Sequence, residues 1–379
     1  MKSKLPDVGT TIFTVMSKMA QDHGAINLSQ GFPDFECPDR LKELVDHYLN
    51  DRKNQYPPMA GIPALRQQIA AKVESLYQYQ ADPETEITVT SGATEALFDA
   101  VQASVHAGDE VIMFDPAYDS YEPAVLMAGG VPVRLSLRLG DYSIDWEQVA
   151  AAVTEKTALI IINTPHNPCG VVLSSTDLDK LAAIVEPTDI IVLSDEVYEH
   201  MVFDGETHCS VLGHPILKSR SFAVFSFGKT YHVTGWKLAY CVAAKALTTE
   251  FRKVHQFVTF TTTSFLQYAI ADFMAECPEH AIELAQFYEK KRDTFCTLLS
   301  DSRFKLMPSK GTYFQLADYS AISDKSDMDF VTELTQEKGV AAIPLSPFYS
   351  DAPDTKIVRF CFCKDDETLE KAASILCQL

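Results

Sequence analysis

From residue 87 to residue 243 the chain repeats one unit: a short apolar run, often β-branched, followed by a longer stretch with helical spacing. A strand apolar along its whole length must be covered on both faces, and strands joined through helices run parallel. The repetition therefore predicts an α/β fold with a large, mostly parallel sheet between helical layers. Seven strands are expected: ITVT at 87–90, VIMF at 111–114, VPVRLS at 131–136, ALIII at 158–162, IIVLS at 190–194, FAVFS at 222–226 and LAYCVA at 238–243. Between the first two, Leu97, Ala100, Val101 and Val105 recur at helix spacing.

Past residue 265 the pattern changes to one long helix over 266–299, short strands near 312–316, 340–343 and 356–361, and a closing helix over 366–379. This predicts a smaller α+β unit. The expected division is an N-terminal arm at 1–45 that joins the small unit, a large sheet domain at 46–265 and a C-terminal small domain at 266–379. A chain of 379 residues has room for two or three domains of roughly 100–200 residues each.

Charge and composition narrow the partners. Lys+Arg of 32 against Asp+Glu of 52 gives 32 − 52 = −20, a field that repels nucleic acid and anionic membranes. The longest clean apolar run, LAYCVAA at 238–244, has seven residues where a membrane span needs roughly 20. The opening MKSKLPDVGT is not followed by the apolar segment of a secretory leader. Nine scattered cysteines without CxxC spacing read as reduced thiols. The expectation is a soluble, cytoplasmic protein that meets small molecules, not a membrane or nucleic acid.

Polar motifs cluster where strands end. SGAT at 91–94 follows the first strand and opens a helix, which aims free backbone N–H groups and the positive end of the helix dipole at one place. Read alone, it is either a phosphate site or an ordinary tight turn capped by Thr94. SFGKTYHVTGWK at 226–237 imitates a phosphate-binding loop, but that motif requires Gly where Ala223 stands, and no GxG occurs anywhere in the chain. What remains is Ser226, Lys229, Thr230 and Lys237 beyond a buried strand, either a solvated basic loop or a place where a desolvated lysine loses basicity. NTPHNPCG leaves Asn163 and Asn167 beyond another strand, and SDEVY leaves Asp195 and Tyr198 beyond the next. A carboxylate ending an apolar strand calls for a cationic partner, although such an Asp is commonly a helix cap. His166, His200 and His232 lie nearby without HExxH or a compact His/Cys cluster, so no metal is expected.

The order SGAT, DPAY at 115–118, NTPHNPCG, SDEVY, SFGKT, TGWK and VRF at 358–360 resembles the class I aminotransferases of the pyridoxal phosphate fold type I group across nearly the whole chain. QGFPDF at 30–35, QYPPMAG at 55–61 and GKTYHVTGWK resemble most closely the methionine aminotransferase and kynurenine/glutamine transaminase branch. The resemblance implies pyridoxal 5'-phosphate as cofactor, with Lys229 as the lysine that bonds to it and shuttles the proton between Cα and C4′. It implies Asp195 at the pyridinium nitrogen, Tyr198 and Asn167 at the ring's phenolic oxygen and Tyr118 against the ring face. The phosphate would be held by Ser226, Lys237, the amides of Ala93 and Thr94, and Tyr56 contributed by the second subunit of a homodimer with shared sites.

Arg359, with Gly31 and Asn167 assisting, would take the substrate α-carboxylate through a bidentate contact; without the family position it would read as a surface ion pair. The substrates would be amino acids and 2-oxo acids in a ping-pong cycle. Dicarboxylate-specific relatives use a second Arg that the stretch QFVTFTTTSF at 256–265 lacks, so methionine, aromatic or glutamine-like donors are implied, with Phe32, Tyr118 and Phe348 near the mouth. Two rivals share the motifs: a C–S β-lyase of the cysteine-S-conjugate or cystathionine type, and a non-enzymatic cofactor-binding regulator. Intact Lys229 and Arg359, and the lack of a basic helix-turn-helix unit, count against the regulator.

Overall fold

The computed structural model describes residues 2–379. All seven expected strands form: β1 (Ile87–Thr90), β2 (Glu110–Asp115), β3 (Val131–Ser136), β4 (Thr157–Asn163), β5 (Ile191–Asp195), β6 (Ser221–Ser226) and β7 (Ala239–Ala243). They pair in the order β1-β7-β6-β5-β4-β2-β3. Neighbours from β6 to β3 are parallel, whereas β7 is antiparallel to both β1 and β6. The apolar run of β7 looks like its neighbours' because burial on both faces, not direction, sets that pattern.

The reversal matters for the site. Ala239 at the start of β7 pairs with Thr90 and with Ser226 at the ends of the flanking strands. Residues just before β7 therefore reach the same edge as those just after β1 and β6. That edge also receives the ends of β4 and β5, where Asn163 pairs with Asp195. Ligands of open α/β sheets bind along such an edge.

The helix that follows β1, Ala93–Ser104, buries Ala96, Leu97, Ala100 and Val101 and packs on the helix Lys245–Val258. A second sheet of four strands orders Ile343–Pro344, Ile357–Cys361, Phe314–Asp318 and Lys305–Leu306, all antiparallel, and Arg359 lies opposite Leu316 and Ile343. The helices Glu279–Leu298 and Asp366–Leu376 pack together beside it.

The single long helix expected over 266–299 is two, Ser264–Glu276 and Glu279–Leu298. Pro278 explains the break: its ring clashes with a preceding carbonyl and forces the residue before it out of helical geometry, and Cys277 has φ −130° and ψ 55°. The expected strand at 340–343 likewise splits, Val340–Ala341 pairing with Ile26–Asn27 and Ile343–Pro344 joining the four-stranded sheet. Lys305–Leu306 is a strand the pattern did not suggest. Residues 45 and 265 both fall inside helices, Asp39–Asn50 and Ser264–Glu276, which pack against each other. We propose that this helix pair stays with the large sheet, and that the small unit comprises the arm around Ile26–Asn27 and the chain after Cys277.

Candidate active site

One cavity opens at the carboxyl edge of the large sheet and is closed on its far side by the four-stranded sheet. At one end stands the N-terminus of the helix Ala93–Ser104. Its cap is Gly92, at φ +83°, and no side chain makes a cap hydrogen bond, so the alternative of an ordinary turn capped by Thr94 does not hold. Ala93 and Thr94 line the cavity, and as the first residues of the helix their amides have no intrahelical partner. A Cβ on Gly92 would come within 2.9 Å of Lys237 Cε and 3.0 Å of its Nζ, so only glycine lets this ammonium lie against the turn. Ser226, from the end of β6, lines the same end.

In the middle, Asp195 is 4% exposed. Its Oδ2 accepts the Tyr121 hydroxyl at 2.6 Å and its Oδ1 the Val197 amide at 3.4 Å. Burial pushes this carboxyl up to about 6 against the pull of those donors. Lys229 leaves the short helix Phe227–Thr230 and points across the cavity, its Nζ donating to the Tyr313 hydroxyl at 2.6 Å and the Gly31 carbonyl at 3.4 Å. Burial lowers this amine to about 8, near where it serves equally as base and acid. The ammonium lies 5.5 Å from the centre of the Tyr198 ring, and burial holds that phenol well above its usual range, so it stays a neutral donor.

At the other end, Arg359 is fully buried and has no carboxylate, unlike a surface ion pair. Its Nη1 donates to Asn167 Oδ1 at 2.7 Å and its Nη2 to the Ser29 carbonyl at 2.9 Å, and its Cζ lies 3.8 Å from the centre of the Phe314 ring. Its Nε is buried without a partner. Asn167 is held in turn by Asn163, whose Oδ1 accepts the Asn167 amide at 2.7 Å and whose Nδ2 donates to the Asp195 carbonyl at 2.8 Å. With its oxygen committed to Arg359, the Asn167 amide has Nδ2 left to donate into the cavity.

Of the residues expected at the site, Gly31, Ala93, Thr94, Tyr118, Asn167, Asp195, Tyr198, Ser226, Lys229, Lys237 and Arg359 line this one cavity. Tyr56 does not. It is 84% exposed, against Phe260 on an outer surface shared with residues 261–265. Of the aromatic residues expected near the mouth, Phe32 and Phe348 do not line the cavity either: the Phe32 ring covers the Lys364 ammonium at 4.3 Å, and Phe348 is fully buried. Phe13 lines the cavity instead, 5.7 Å from Phe348 and 6.4 Å from Tyr118. Tyr121, Tyr313, Phe13 and Phe314 were not singled out from sequence. Burial pushes His166 and His200 down to about 4 and His232 to about 3, so all three are neutral. A compact group that the sequence did not suggest, Glu95, Asp99 and His255, forms where two helices pack behind the turn at 91–94.

The sequence matches the family described as aminotransferase class I and II over residues 23–376. It is 51% identical to the methionine aminotransferase of Escherichia coli K12 over 100% of this chain and 98% of that protein. A solved E. coli structure, YbdL, whose description identifies a methionine aminotransferase function, superposes with a TM-score of 0.98 over 100% of this chain and 99% of that one. The N-succinyldiaminopimelate aminotransferase of Mycobacterium tuberculosis superposes with a TM-score of 0.96 at 36% identity, over 100% and 99% of the two chains. Kynurenine–oxoglutarate transaminase 3 of Mus musculus is 36% identical over 98% of this chain and 88% of that protein.

Proposed function

Since the chain belongs to the class I and II aminotransferases, we propose that it uses pyridoxal 5'-phosphate to move amino groups from methionine or aromatic amino acids to 2-oxo acids, as a homodimer. The observation that carries this reading is one cavity lined by a lysine amine, the carboxyl of Asp195, a buried guanidinium and a helix N-terminus without a side-chain cap. The residues fit the cofactor. The Gly92 turn and Lys237 leave donors for a phosphate, Asp195 is hydrogen-bonded only to the Tyr121 hydroxyl and the Val197 amide, and Arg359 Nε is buried without a partner. When bound, the cofactor supplies an aldehyde that takes the amino group and an aromatic ring that disperses the electron pair left at the substrate Cα.

The chain's own groups do the rest. Ser226, Lys237 and the amides of Ala93 and Thr94 hold the phosphate. Asp195, oriented by Tyr121, would keep a proton on the ring nitrogen. Tyr198 and the free Nδ2 of Asn167 would donate to the ring oxygen, and Tyr118 would cover a ring face. Arg359, flanked by Gly31 and Asn167, fixes the α-carboxylate so that the Cα proton faces Lys229, which removes it.

Tyr56, pointing outward beside Phe260, suits a role in a second cavity across a dimer interface. Tyr56→Phe should weaken cofactor affinity by about tenfold, the effect of losing one hydrogen bond to a charged group. Unchanged affinity, measured by titration of the cofactor-free protein, would remove Tyr56 from the phosphate cup.

If Tyr56 reaches a partner's cavity, the neighbouring residues 261–265 approach it too, and these carry no Arg. A distal carboxylate arriving there loses hydration without gaining a counter-charge, a cost of several kcal/mol, whereas a thioether or aromatic ring gains contact with Phe13 and Tyr118. Methionine and aromatic donors should therefore exceed aspartate by at least about tenfold in kcat/KM. A donor screen against one 2-oxo acid decides it: aspartate equal to methionine would mean that another cation serves the distal carboxylate. Pyruvate and ammonia released from cysteine conjugates faster than transamination would instead make the protein a lyase.

No helix among the described residues is long and apolar enough to cross a membrane, and all nine cysteines are free thiols, which suits a reducing cytoplasm.

A further inference from the structure

The phosphate end of the cavity depends on a turn that no side chain caps, yet that turn is anchored. Glu95, in the first turn of the helix Ala93–Ser104, accepts the Ser91 amide on Oε2. Its Oε1 lies 2.7 Å from Nδ1 of His255, whose side chain is completely buried on the adjacent helix Lys245–Val258. The other ring nitrogen, Nε2, lies 3.1 Å from the Met59 carbonyl. A carboxylate and a backbone carbonyl both only accept, so both ring nitrogens donate and the ring is an imidazolium. Asp99, one turn further along, places a second carboxylate 3.4 Å from Nδ1, with neither oxygen in a hydrogen bond. Burial disfavours the charged ring, but Asp99 and Glu95 outweigh it and push His255 up to about 9.

Met59 is three residues from Tyr56, and its carbonyl is fixed by the same ring that fixes the helix turn. We propose that His255 is a positioning residue for the phosphate cup, its imidazolium tying the turn at 91–94, through Glu95, to the segment at 55–61 that carries Tyr56. One buried side chain then sets the half of the cup that serves this subunit and the half offered to its partner. The proposal rests on the pyridoxal phosphate reading above. The same three side chains could be taken for a cation site, but 2.7 Å is an N–H···O distance, whereas two ligands of one tetrahedral zinc stand about 3.4 Å apart.

The test compares binding of pyridoxal 5'-phosphate and of pyridoxal, which lacks the phosphate, to the cofactor-free full-length protein. His255→Leu should raise the Kd for pyridoxal 5'-phosphate at least about tenfold and leave that for pyridoxal within about twofold. Adding Glu95→Gln to His255→Leu should cost little more, because both changes cut one chain of contacts. His255→Gln, which keeps one amide donor, should recover part of the affinity and serves in place of the leucine variant if that one does not fold. Equal losses for both ligands would reduce His255 to general packing, and no loss would end the proposal. One equivalent of zinc in the purified wild type, absent from His255→Leu, would replace the imidazolium with a metal. A wild type that binds neither ligand would remove the cofactor reading itself.

Discussion

Replacing Lys229 with Ala should lower amino transfer by at least about 10⁴-fold while leaving the protein folded and able to bind the cofactor. A positioned general base alone contributes about 10²–10⁴-fold, and the same amine is proposed as the covalent attachment point. No neighbour can stand in for it. Lys237, the other lysine in the cavity, lies against Gly92 at the phosphate end, and Tyr313, the group nearest to the Lys229 amine at 2.6 Å, is a phenol whose pKa burial holds well above its usual range. Binding survives in this expectation because the donors at 91–94, Ser226 and Lys237 are separate from the amine. A small primary amine added to the assay should restore part of the rate by diffusing into the vacated space. A Lys229→Ala protein with more than about a hundredth of wild-type kcat would assign the Cα proton to another group.

Asp195→Asn should cost about a hundredfold. The amide keeps the shape of the carboxylate and an oxygen for the Tyr121 hydroxyl or the Val197 amide, so the fold at the end of β5 is preserved. What is lost is the negative charge. A neutral amide no longer favours a protonated ring nitrogen, and a buried hydrogen bond between charged groups is worth about 3 kcal/mol, or about a factor of a hundred in rate. Saturating steady-state assays give the comparison, and a variant within threefold of wild type would show that Asp195 is not the ring's partner.

Much of this was legible because it is local. Strands buried on both faces announce themselves as apolar runs, and the polar residues that end them, Asn163, Asp195 and Ser226, mark the carboxyl edge before any contact is known. The direction of β7 leaves no trace in composition, although it is what carries Lys237 to the Gly92 turn. The helix break was legible in Pro278 and was not expected. The supporting residues are invisible for a different reason. Tyr313 meets Lys229 across 84 residues, Tyr121 meets Asp195 across 74, and His255 meets Glu95 across 160. Each sits in an unremarkable local pattern, a strand approach or an amphipathic helix, so only the packing of distant elements gives it a role. Tyr56 shows the converse: its motif is local and clear, but the cavity it is expected to serve is not its own.

The proposed bond between Lys229 and the cofactor can be trapped by reduction. Purified protein treated with borohydride, digested and mapped by mass spectrometry should carry the reduced cofactor on the peptide containing Lys229, and prior addition of methionine should remove that label by releasing the lysine. Label on Lys237 or any other residue, or no label on protein that has bound the cofactor, would contradict the assignment of this cavity as the aminotransferase site.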